Sequence, residues 1–312
     1  MHPEPGESSA RFETLGRRGE GQMGTLYLAL QSKPKRRFAL KVVSPGRRSR
    51  LNRRHSPARQ PLTHSRPHHE SRHQSHLVPR VVAWDEARGW SLTHDAGPTG
   101  PTCLDDQPTE VWRAVARAFG TVQRNTGRGP DDWVTVGCRD QRGGRLLKAL
   151  QAMIGHASPE LDTTDRDGLA RLLPRIEEAC KDLAHDGVPA TLVHQDLVPE
   201  NLVWKDKQVV FLDWSDTVVG HPFFGLDRLI GFCWNDATRK AAVIADYLAV
   251  FQDAASPERL QRSFDRVLWL RVLYEGLRWY HEVQALAPTS EHAKWLRADQ
   301  LQGLTMFAQR QP

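Results

Sequence analysis

Three oxygen-bearing side chains lie around two short hydrophobic runs in the second half of the chain. Asp196 and Asn201 share one loop, and Asp213 follows the run Gln208 to Leu212. The segments after the loop are typical of two β-strands joined by a polar turn, which brings Asn201 and Asp213 to the same end of a hairpin. Magnesium takes one or two side-chain oxygens and completes its shell with phosphate and water. The spacing therefore predicts a magnesium–phosphate site, with Asp196 facing an attacking hydroxyl group.

The N-terminal region contains a second pattern that suits phosphate binding. Gly19, Gly21 and Gly24 form a G-x-G-x-x-G motif, and glycines let backbone amides approach phosphate oxygens without a Cβ atom in the way. A dinucleotide-binding fold is the competing interpretation, but it requires a helix directly after the glycines. Here a strand-like run follows, and Lys41 lies in a further apolar run seventeen residues after Gly24. This arrangement favours a lysine that binds the α- and β-phosphates of a nucleotide.

Together these motifs resemble the catalytic core of the aminoglycoside phosphotransferase and choline kinase-like family, whose loop reads roughly H-G-D-x-x-x-x-N. The resemblance implies that Asp196 is the catalytic base and that Asn201 and Asp213 bind the metal. It also implies that His194 braces the loop and that Asp227 supports the loop from the following helix. ATP or GTP and Mg²⁺ are the cofactors that such a site requires.

Two positions of the family pattern are less regular in this chain. Gln195 stands where the family usually has glycine, which changes the contacts of the loop but removes no catalytic group. The phosphate-binding lysine normally pairs with a glutamate, and Glu70 is the one acid between Lys41 and Asp85. Its surroundings, residues 46–72, contain eight arginines and three prolines, so that a helix is disfavoured until about residue 68.

The resemblance and the hydrophobic patterns predict an α+β, protein-kinase-like fold with two lobes. Residues 1–97 are expected to form a small antiparallel sheet that ends in a hinge, where Thr93 and Asp95 lie beside adenine. Residues 98–312 are expected to be mostly helical and to carry the catalytic loop, the metal site and the acceptor pocket. Helices are predicted over residues 109–125, 144–154, 166–186, 236–251, 257–286 and 290–309.

Positive charge is concentrated near the N-terminus. Residues 1–100 carry eighteen Lys and Arg against eight Asp and Glu, whereas the remaining residues carry twenty-five against twenty-nine. Basic blocks can bind nucleic acid or acidic membranes, but the charge belongs to the insertion at about 46–72 and not to the whole fold. The composition favours a solvated insertion over nucleic-acid recognition.

The cysteine pattern and the lack of long apolar runs bear on the compartment. The four cysteines show no C-x-x-C spacing, which is typical of free thiols in a reducing environment. Neither a signal-peptide pattern nor an apolar run of membrane-spanning length is present. A soluble cytoplasmic protein without a membrane partner is expected, and the sequence does not indicate its oligomeric state.

The function predicted on this basis is transfer of the γ-phosphoryl group to a hydroxyl of a small molecule, such as an aminoglycoside or other antibiotic, an amino alcohol or a sugar-like acceptor. A protein Ser/Thr kinase is the first alternative, but Asp227 follows Asp213 by only fourteen residues. That interval leaves no room for an activation segment and its A-P-E motif. A nucleotide-binding pseudokinase is the second alternative, and it is disfavoured because every catalytic position is filled.

The acceptor pocket is expected between the catalytic loop and the C-terminal helices, as the resemblance implies. Residues 262–312 carry seven Lys and Arg against five Asp and Glu, so that no acidic rim for a polycationic aminoglycoside is evident. The candidate pocket residues are Asp216, His221, Trp269, Tyr274, Glu275, Trp279, Tyr280 and Glu282.

Overall fold

The computed structural model describes residues 8–9, 12–21, 24–31, 36–43, 77–85, 88–99, 107–127, 129–233, 236–287 and 289–311. Glu70, the insertion at about 46–72 and the tip of the glycine motif at residues 22–23 lie outside the described residues.

The chain divides into two compact units. The first comprises the described parts of residues 1–118, 131–138 and 197–216, and the second comprises those of 119–130, 139–196 and 217–312. The predicted boundary after residue 97 stays a prediction.

A six-stranded antiparallel sheet dominates the first unit. Its strands are β1 (Ser8–Ser9), β2 (Phe12–Gly21), β3 (Gly24–Gln31), β4 (Arg36–Val43), β5 (Val81–Asp85) and β6 (Trp90–His94), in the order β1-β2-β3-β4-β6-β5. Ala29, Phe38 and Leu92 form a buried cluster on this sheet, and Leu40 packs against it. The small antiparallel sheet predicted for the N-terminal region is confirmed.

Two smaller sheets carry the segments around the predicted catalytic loop. Their strands are β7 (Arg139–Asp140), β8 (Thr191–Val193), β9 (Leu202–Lys205), β10 (Gln208–Phe211) and β11 (Val218–Gly220). In the second unit the order is β7-β11-β8, with β11 parallel to β7 and antiparallel to β8. In the first unit β9 and β10 form the predicted hairpin, with Leu202 opposite Phe211.

Helices make up most of the second unit. The α-helices of the described residues are α1 (Thr109–Thr126), α2 (Pro130–Thr135), α3 (Gly144–Ala157), α4 (Thr163–His185), α5 (Asp227–Gly231), α6 (Ala237–Ala249), α7 (Pro257–Val283) and α8 (Glu291–Ala308). The apolar positions of α7 recur every three or four residues, and Leu260, Phe264, Val267 and Leu270 are all fully buried. Within the described ranges, no helix is long and apolar enough to cross a lipid bilayer.

Candidate active site

The glycine motif lies on two neighbouring strands of the first unit. Gly19 of β2 pairs with Leu26 of β3. Gly21, the last residue of β2, pairs with Gly24, the first residue of β3. The glycines are therefore followed by a strand and not by the helix that a dinucleotide-binding motif needs, as the sequence predicted. Their role in holding phosphates stays a prediction.

Lys41 lies in β4, between Leu26 of β3 and Ser91 of β6. Its ammonium nitrogen Nζ is 2.7 Å from the carboxylate oxygen Oδ1 of Asp213, which is 172 residues further along the chain. Both side chains belong to the first unit and both are partly exposed. The fold thus joins the predicted phosphate lysine directly to the predicted metal ligand.

Local contacts fix the orientation of the Asp213 carboxylate. Its backbone has a φ of 52°, the left-handed conformation that Asp adopts more readily than most residues. The Ser215 hydroxyl donates a 2.6 Å hydrogen bond to Oδ1 of Asp213, the same oxygen that Lys41 contacts. Trp214 Nε1 donates to the carbonyl oxygen of Phe211 at 2.9 Å, which ties the turn to the end of β10.

Asn201 reaches the same end of the hairpin through a short helical turn. Pro199 begins this turn, and the Asn201 amide donates to the Val198 carbonyl at 2.9 Å. The Leu212 amide then donates to the Asn201 carbonyl at 2.8 Å. Since Leu212 directly precedes Asp213, the hairpin brings the two predicted metal ligands together, as their spacing suggested.

The donor set of Asn201 and Asp213 fits a magnesium ion bound together with phosphate. It offers one amide and one carboxylate oxygen, and magnesium usually takes only one or two side chains when phosphate supplies the rest. The described residues contain no group of three or more His, Cys, Asp or Glu that could hold a metal alone. A metal at this position is therefore expected to depend on nucleotide.

The predicted hinge residues contact β4. The Asp95 amide donates to the Arg37 carbonyl at 3.3 Å, and the Asp95 carboxylate lies 3.4 Å from the Arg37 guanidinium. The Thr93 hydroxyl contacts the Ala39 carbonyl at 3.5 Å. The Asp95 amide is thus engaged within the sheet, and an adenine contact by either residue stays a prediction.

The catalytic loop begins at the end of β8, in the second unit. His194 is buried, and its Nδ1 atom accepts a 3.1 Å hydrogen bond from the Asp196 amide. Because Nδ1 is an acceptor here, the neutral ring carries its proton on Nε2. β8 is anchored in turn by Gln123, whose amide donates to the Leu192 carbonyl at 3.2 Å. His194 therefore contacts the backbone of Asp196, and the bracing role that the resemblance implied stays a prediction.

Arginines that the sequence did not indicate surround the Asp196 carboxylate. Arg278 Nη1 lies 3.1 Å and Arg228 Nη2 lies 3.2 Å from the same oxygen, Oδ1. Arg278 also donates to the Gln195 carbonyl at 3.2 Å. Motif reasoning did not identify either arginine, because they lie in α5 and α7, outside the loop motif. The available signal was the spacing of Arg271, Glu275 and Arg278, which places three charges on one face of α7.

Asp227 and Glu275 complete this group of charges. Asp227 contacts Arg271 at 3.3 Å and Glu275 contacts Arg228 at 2.7 Å. Burial raises the pKa of both carboxyls above their ordinary values, although the neighbouring arginines oppose the effect. Within the described part of the second unit, Asp227 is bonded to Arg271 and not to the catalytic loop, so that its supporting role stays a prediction.

Two of the predicted pocket residues, Tyr274 and Glu275, line a cavity in the second unit. The others have different surroundings. His221 pairs with Asp186 at 2.9 Å in the interior, and Trp269 packs on Phe307. Trp279, Tyr280 and Glu282 contact Trp295, His156 and His292, respectively. Asp216 lies in a short helical turn of the first unit.

Comparisons with known proteins identify the family and the fold. The model of the phosphotransferase enzyme family matches residues 19–263, whereas curated protein sequences give no match. A choline/ethanolamine kinase family protein from Mesorhizobium loti aligns with a TM-score of 0.57 and 15% identity, over 95% of this chain and 88% of that one. A choline kinase from Cryptosporidium parvum Iowa II aligns with a TM-score of 0.57 and 13% identity, over 95% and 90%. An amicoumacin kinase in complex with AMP-PNP, Ca²⁺ and Ami aligns with a TM-score of 0.55 and 14% identity, over 98% and 90%. Likeness at this level shows the shared fold, so that the predicted kinase-like α+β fold is confirmed.

Proposed function

Because the chain belongs to the phosphotransferase enzyme family and is an enzyme of the small-molecule kinase class, we propose that it transfers the γ-phosphoryl group of ATP to a hydroxyl of a small molecule. The observation that carries this proposal is the 2.7 Å contact between Lys41 Nζ and Asp213 Oδ1. A cation for phosphate and an anion for metal are the two charges that a phosphoryl-transfer site needs side by side. AMP-PNP in the amicoumacin kinase complex supports ATP as the donor.

Each residue has a separate task in the proposed reaction. Lys41 binds the phosphates, and Asn201 and Asp213 would hold Mg²⁺, which when bound neutralises phosphate charge. Asp196 accepts the proton of the acceptor hydroxyl as the new oxygen–phosphorus bond forms. The bond between the γ-phosphorus and the bridging oxygen breaks, and ADP leaves with that electron pair. His194 keeps the Asp196 backbone in place through the 3.1 Å hydrogen bond.

A small-molecule acceptor is favoured over a protein substrate by the segment between Asp213 and Asp227. Residues 214–226 are fully described and contain β11 and two short helical turns. They are too few for the activation segment with which protein kinases hold a peptide. The kinases of small molecules among the similar structures support the same class of acceptor.

The first test separates nucleotide binding from chemistry. The Asp213→Ala enzyme should lose magnesium-dependent ATP binding, whereas the Asp196→Ala enzyme should bind Mg–ATP normally and lose transfer by at least about a hundredfold. Binding is measured by calorimetry. Transfer is measured with labelled γ-phosphate on a panel of amino alcohols, aminoglycosides, sugars, hydroxy acids and a generic protein.

Glu200→Ala is the matched control, because Glu200 is an exposed acid of the same segment and should behave as the wild type. Normal turnover by the Asp196→Ala enzyme contradicts the proposed mechanism. If only the generic protein becomes labelled, the acceptor is a protein and not a small molecule.

A further inference from the structure

A narrow niche lies directly beside the proposed catalytic base. Its lining comprises Gln195, Phe224, Asp227, Arg228, Arg271, Tyr274, Glu275 and Arg278, all from the second unit. Phe224 and Tyr274 form one wall as stacked rings, with centroids 4.0 Å apart. The cavity volume of about 10 Å³ is room for roughly one oxygen atom. The niche therefore suits a single projecting oxygen rather than a whole acceptor.

The side chain of Gln195 presents a hydrogen-bond donor to this niche. Only 4% of the residue is exposed. Its amide oxygen Oε1 accepts a 3.3 Å hydrogen bond from Arg139 Nη2, which fixes the orientation of the amide and leaves Nε2 on the other side. Nε2 is buried and makes no hydrogen bond within 3.5 Å among the described residues, although the Gln195 side chain lies close enough to the Tyr274 hydroxyl to oppose the rise that burial causes in the pKa of that phenol. A buried amide donor without an acceptor is costly, so that a ligand that satisfies it gains affinity.

A second donor without a partner belongs to Arg228. Its Nη1 atom contacts Glu275 and its Nη2 atom contacts Asp196. Nε is buried, however, and finds no acceptor in the described part of the chain. The lining also contains the buried Tyr274 hydroxyl, which makes no hydrogen bond within 3.5 Å in the described part of the chain. Gln195 Nε2 and Arg228 Nε are N–H donors and the hydroxyl can donate as well, which favours a ligand atom that accepts hydrogen bonds.

The donors of the niche, rather than a net charge, favour an anion over a cation. The three guanidinium groups of the lining, from Arg228, Arg271 and Arg278, are matched by the carboxyls of Asp227, Glu275 and the adjoining Asp196. A cationic acceptor placed beside Asp196 has to approach two arginines within 3.2 Å of that carboxylate, and like charges in a poorly solvated site repel strongly.

We propose that the acceptor is an anionic hydroxy compound, with a carboxylate or phosphate oxygen bound beside Asp196 by Gln195 Nε2 and Arg228 Nε. This inference rests on the proposed function and specifies its substrate class. The anionic group anchors the acceptor, and its hydroxyl is thereby presented to Asp196. Gln195, which replaces the glycine usual in the family, is then a determinant of acceptor specificity.

A matched series of acceptors tests the charge preference. Glycerol, glycerate, glycerol phosphate and aminopropanediol share one carbon skeleton and differ in charge. Transfer from labelled ATP is followed for each, and binding is measured in parallel by thermal shift with Mg–AMP-PNP present. We expect kcat/KM for at least one anionic member to exceed that of glycerol and of the amine by at least tenfold, since hydrogen bonds to a charged group are stronger than those between neutral groups. Glycerate and glycerol phosphate distinguish a carboxylate from a phosphate.

The Gln195→Glu variant tests the position of the anion. Glutamate keeps the size of the side chain and an acceptor for Arg139, but it replaces the Nε2 donor by a negatively charged oxygen. The KM for the anionic acceptor should rise at least tenfold, while the KM for ATP stays unchanged. Gln302→Glu, an exposed position on α8, introduces the same charge as a control and should leave both values unchanged.

The outcomes separate this inference from the proposed function. Preferred transfer to glycerol or to the amine, abolished by Asp196→Ala, overturns the anionic acceptor but keeps the phosphotransferase. Absence of both transfer to and binding of the anionic members, with Mg–ATP still bound, also overturns it. An unchanged preference in the Gln195→Glu enzyme rules out the niche as the anion site. Failure of the wild type to bind Mg–ATP overturns the proposed function itself.

Discussion

Lys41 and Asp213 have opposite charges and contact each other at 2.7 Å, yet their value as a stabilising ion pair is small. Both side chains are about one-quarter to one-third exposed, and ion pairs with this exposure contribute little to folding. A lysine within the apolar run from Phe38 to Val43, held against a carboxylate in a left-handed backbone conformation, is better explained by a functional role than by stability. The role proposed above is to hold phosphate and metal next to each other.

Lys41→Met tests this task, because methionine keeps the length of the side chain and its packing in β4 while it removes the charge. We expect kcat to fall by about a hundredfold or more, the usual effect of deleting one charged group that stabilises a transition state. Steady-state kinetics with varied ATP measure the change. Lys205→Met, on the exposed side of β9, is the control. A loss of less than about threefold at position 41 would remove Lys41 from the proposed site.

The β9–β10 hairpin positions both proposed metal ligands, and both central residues of its turn have positive φ without being glycine. Asp206 and Lys207 have φ values of 51° and 60°, as a two-residue type I′ turn requires. Glycine adopts this conformation without strain, whereas a side chain such as that of Lys207 is disfavoured there by about 1–2 kcal/mol.

Lys207→Gly should therefore stabilise the protein by up to about 1 kcal/mol, since the relief of strain exceeds the entropy that glycine adds to the unfolded chain. Urea unfolding measures the difference in the free energy of unfolding. Lys205→Gly is the matched control, because it places glycine within β9 and should destabilise the protein by about 0.5–1 kcal/mol. Equal destabilisation by both variants would contradict the strained turn.

Local sequence signals predicted most elements within a few residues, and the exceptions have physical causes. A helix was expected from residue 166, but α4 begins at Thr163 because the Asp162 carboxylate accepts a hydrogen bond from the Asp165 amide at 2.8 Å. The apolar run that starts at Leu77 becomes a strand only at Val81, since Pro79 has no amide hydrogen to donate to a ladder. The Leu77 carbonyl accepts instead from the Phe211 amide at 2.8 Å.

The candidate site was predictable where it is local in sequence and unpredictable where it is not. Asn201 and Asp213 meet across one hairpin, so that turn chemistry and alternation were sufficient to place them. Arg278 reaches Asp196 across 82 positions, and no spacing rule relates residues at that separation. The apolar periodicity of α7 indicates which positions pack on a core, but it carries no information about the partner of a charged residue such as Arg278.

A buried polar cluster links several elements of the second unit. Gln123 is fully buried, and its amide donates to the carbonyls of Leu192 and Pro222 at 3.2 and 2.9 Å. The Tyr247 hydroxyl donates to the Gln123 amide oxygen at 2.5 Å. α1, α6 and the strand that leads into the catalytic loop are thus connected by one side chain whose polar atoms are all satisfied. Such a network specifies the packing of its elements, because a shifted partner leaves a buried group unpaired.

The pair of His221 and Asp186 links the stability of the whole molecule to pH. Burial alone raises the pKa of Asp186, but the hydrogen bonds from His221 at 2.9 Å and from the Val188 amide at 2.9 Å outweigh it, and the net pKa lies below the ordinary value of 3.8. A carboxyl whose pKa is lowered by folding stabilises the native state above its unfolded pKa. That stability is lost as the pH falls through the folded pKa.

Asp186→Asn removes this titration. At neutral pH the variant should be less stable than the wild type, and the difference in the free energy of unfolding should shrink as the pH falls below about 4, near the pKa of an unfolded Asp. Chemical unfolding of both proteins between neutral pH and the acid limit of folding measures that difference. Asp206→Asn, in the exposed β9–β10 turn, is the control for loss of a carboxylate without a buried partner. A difference that stays constant over the whole range would mean that Asp186 contributes through packing alone, because only a change in its bound protons can make the difference depend on pH.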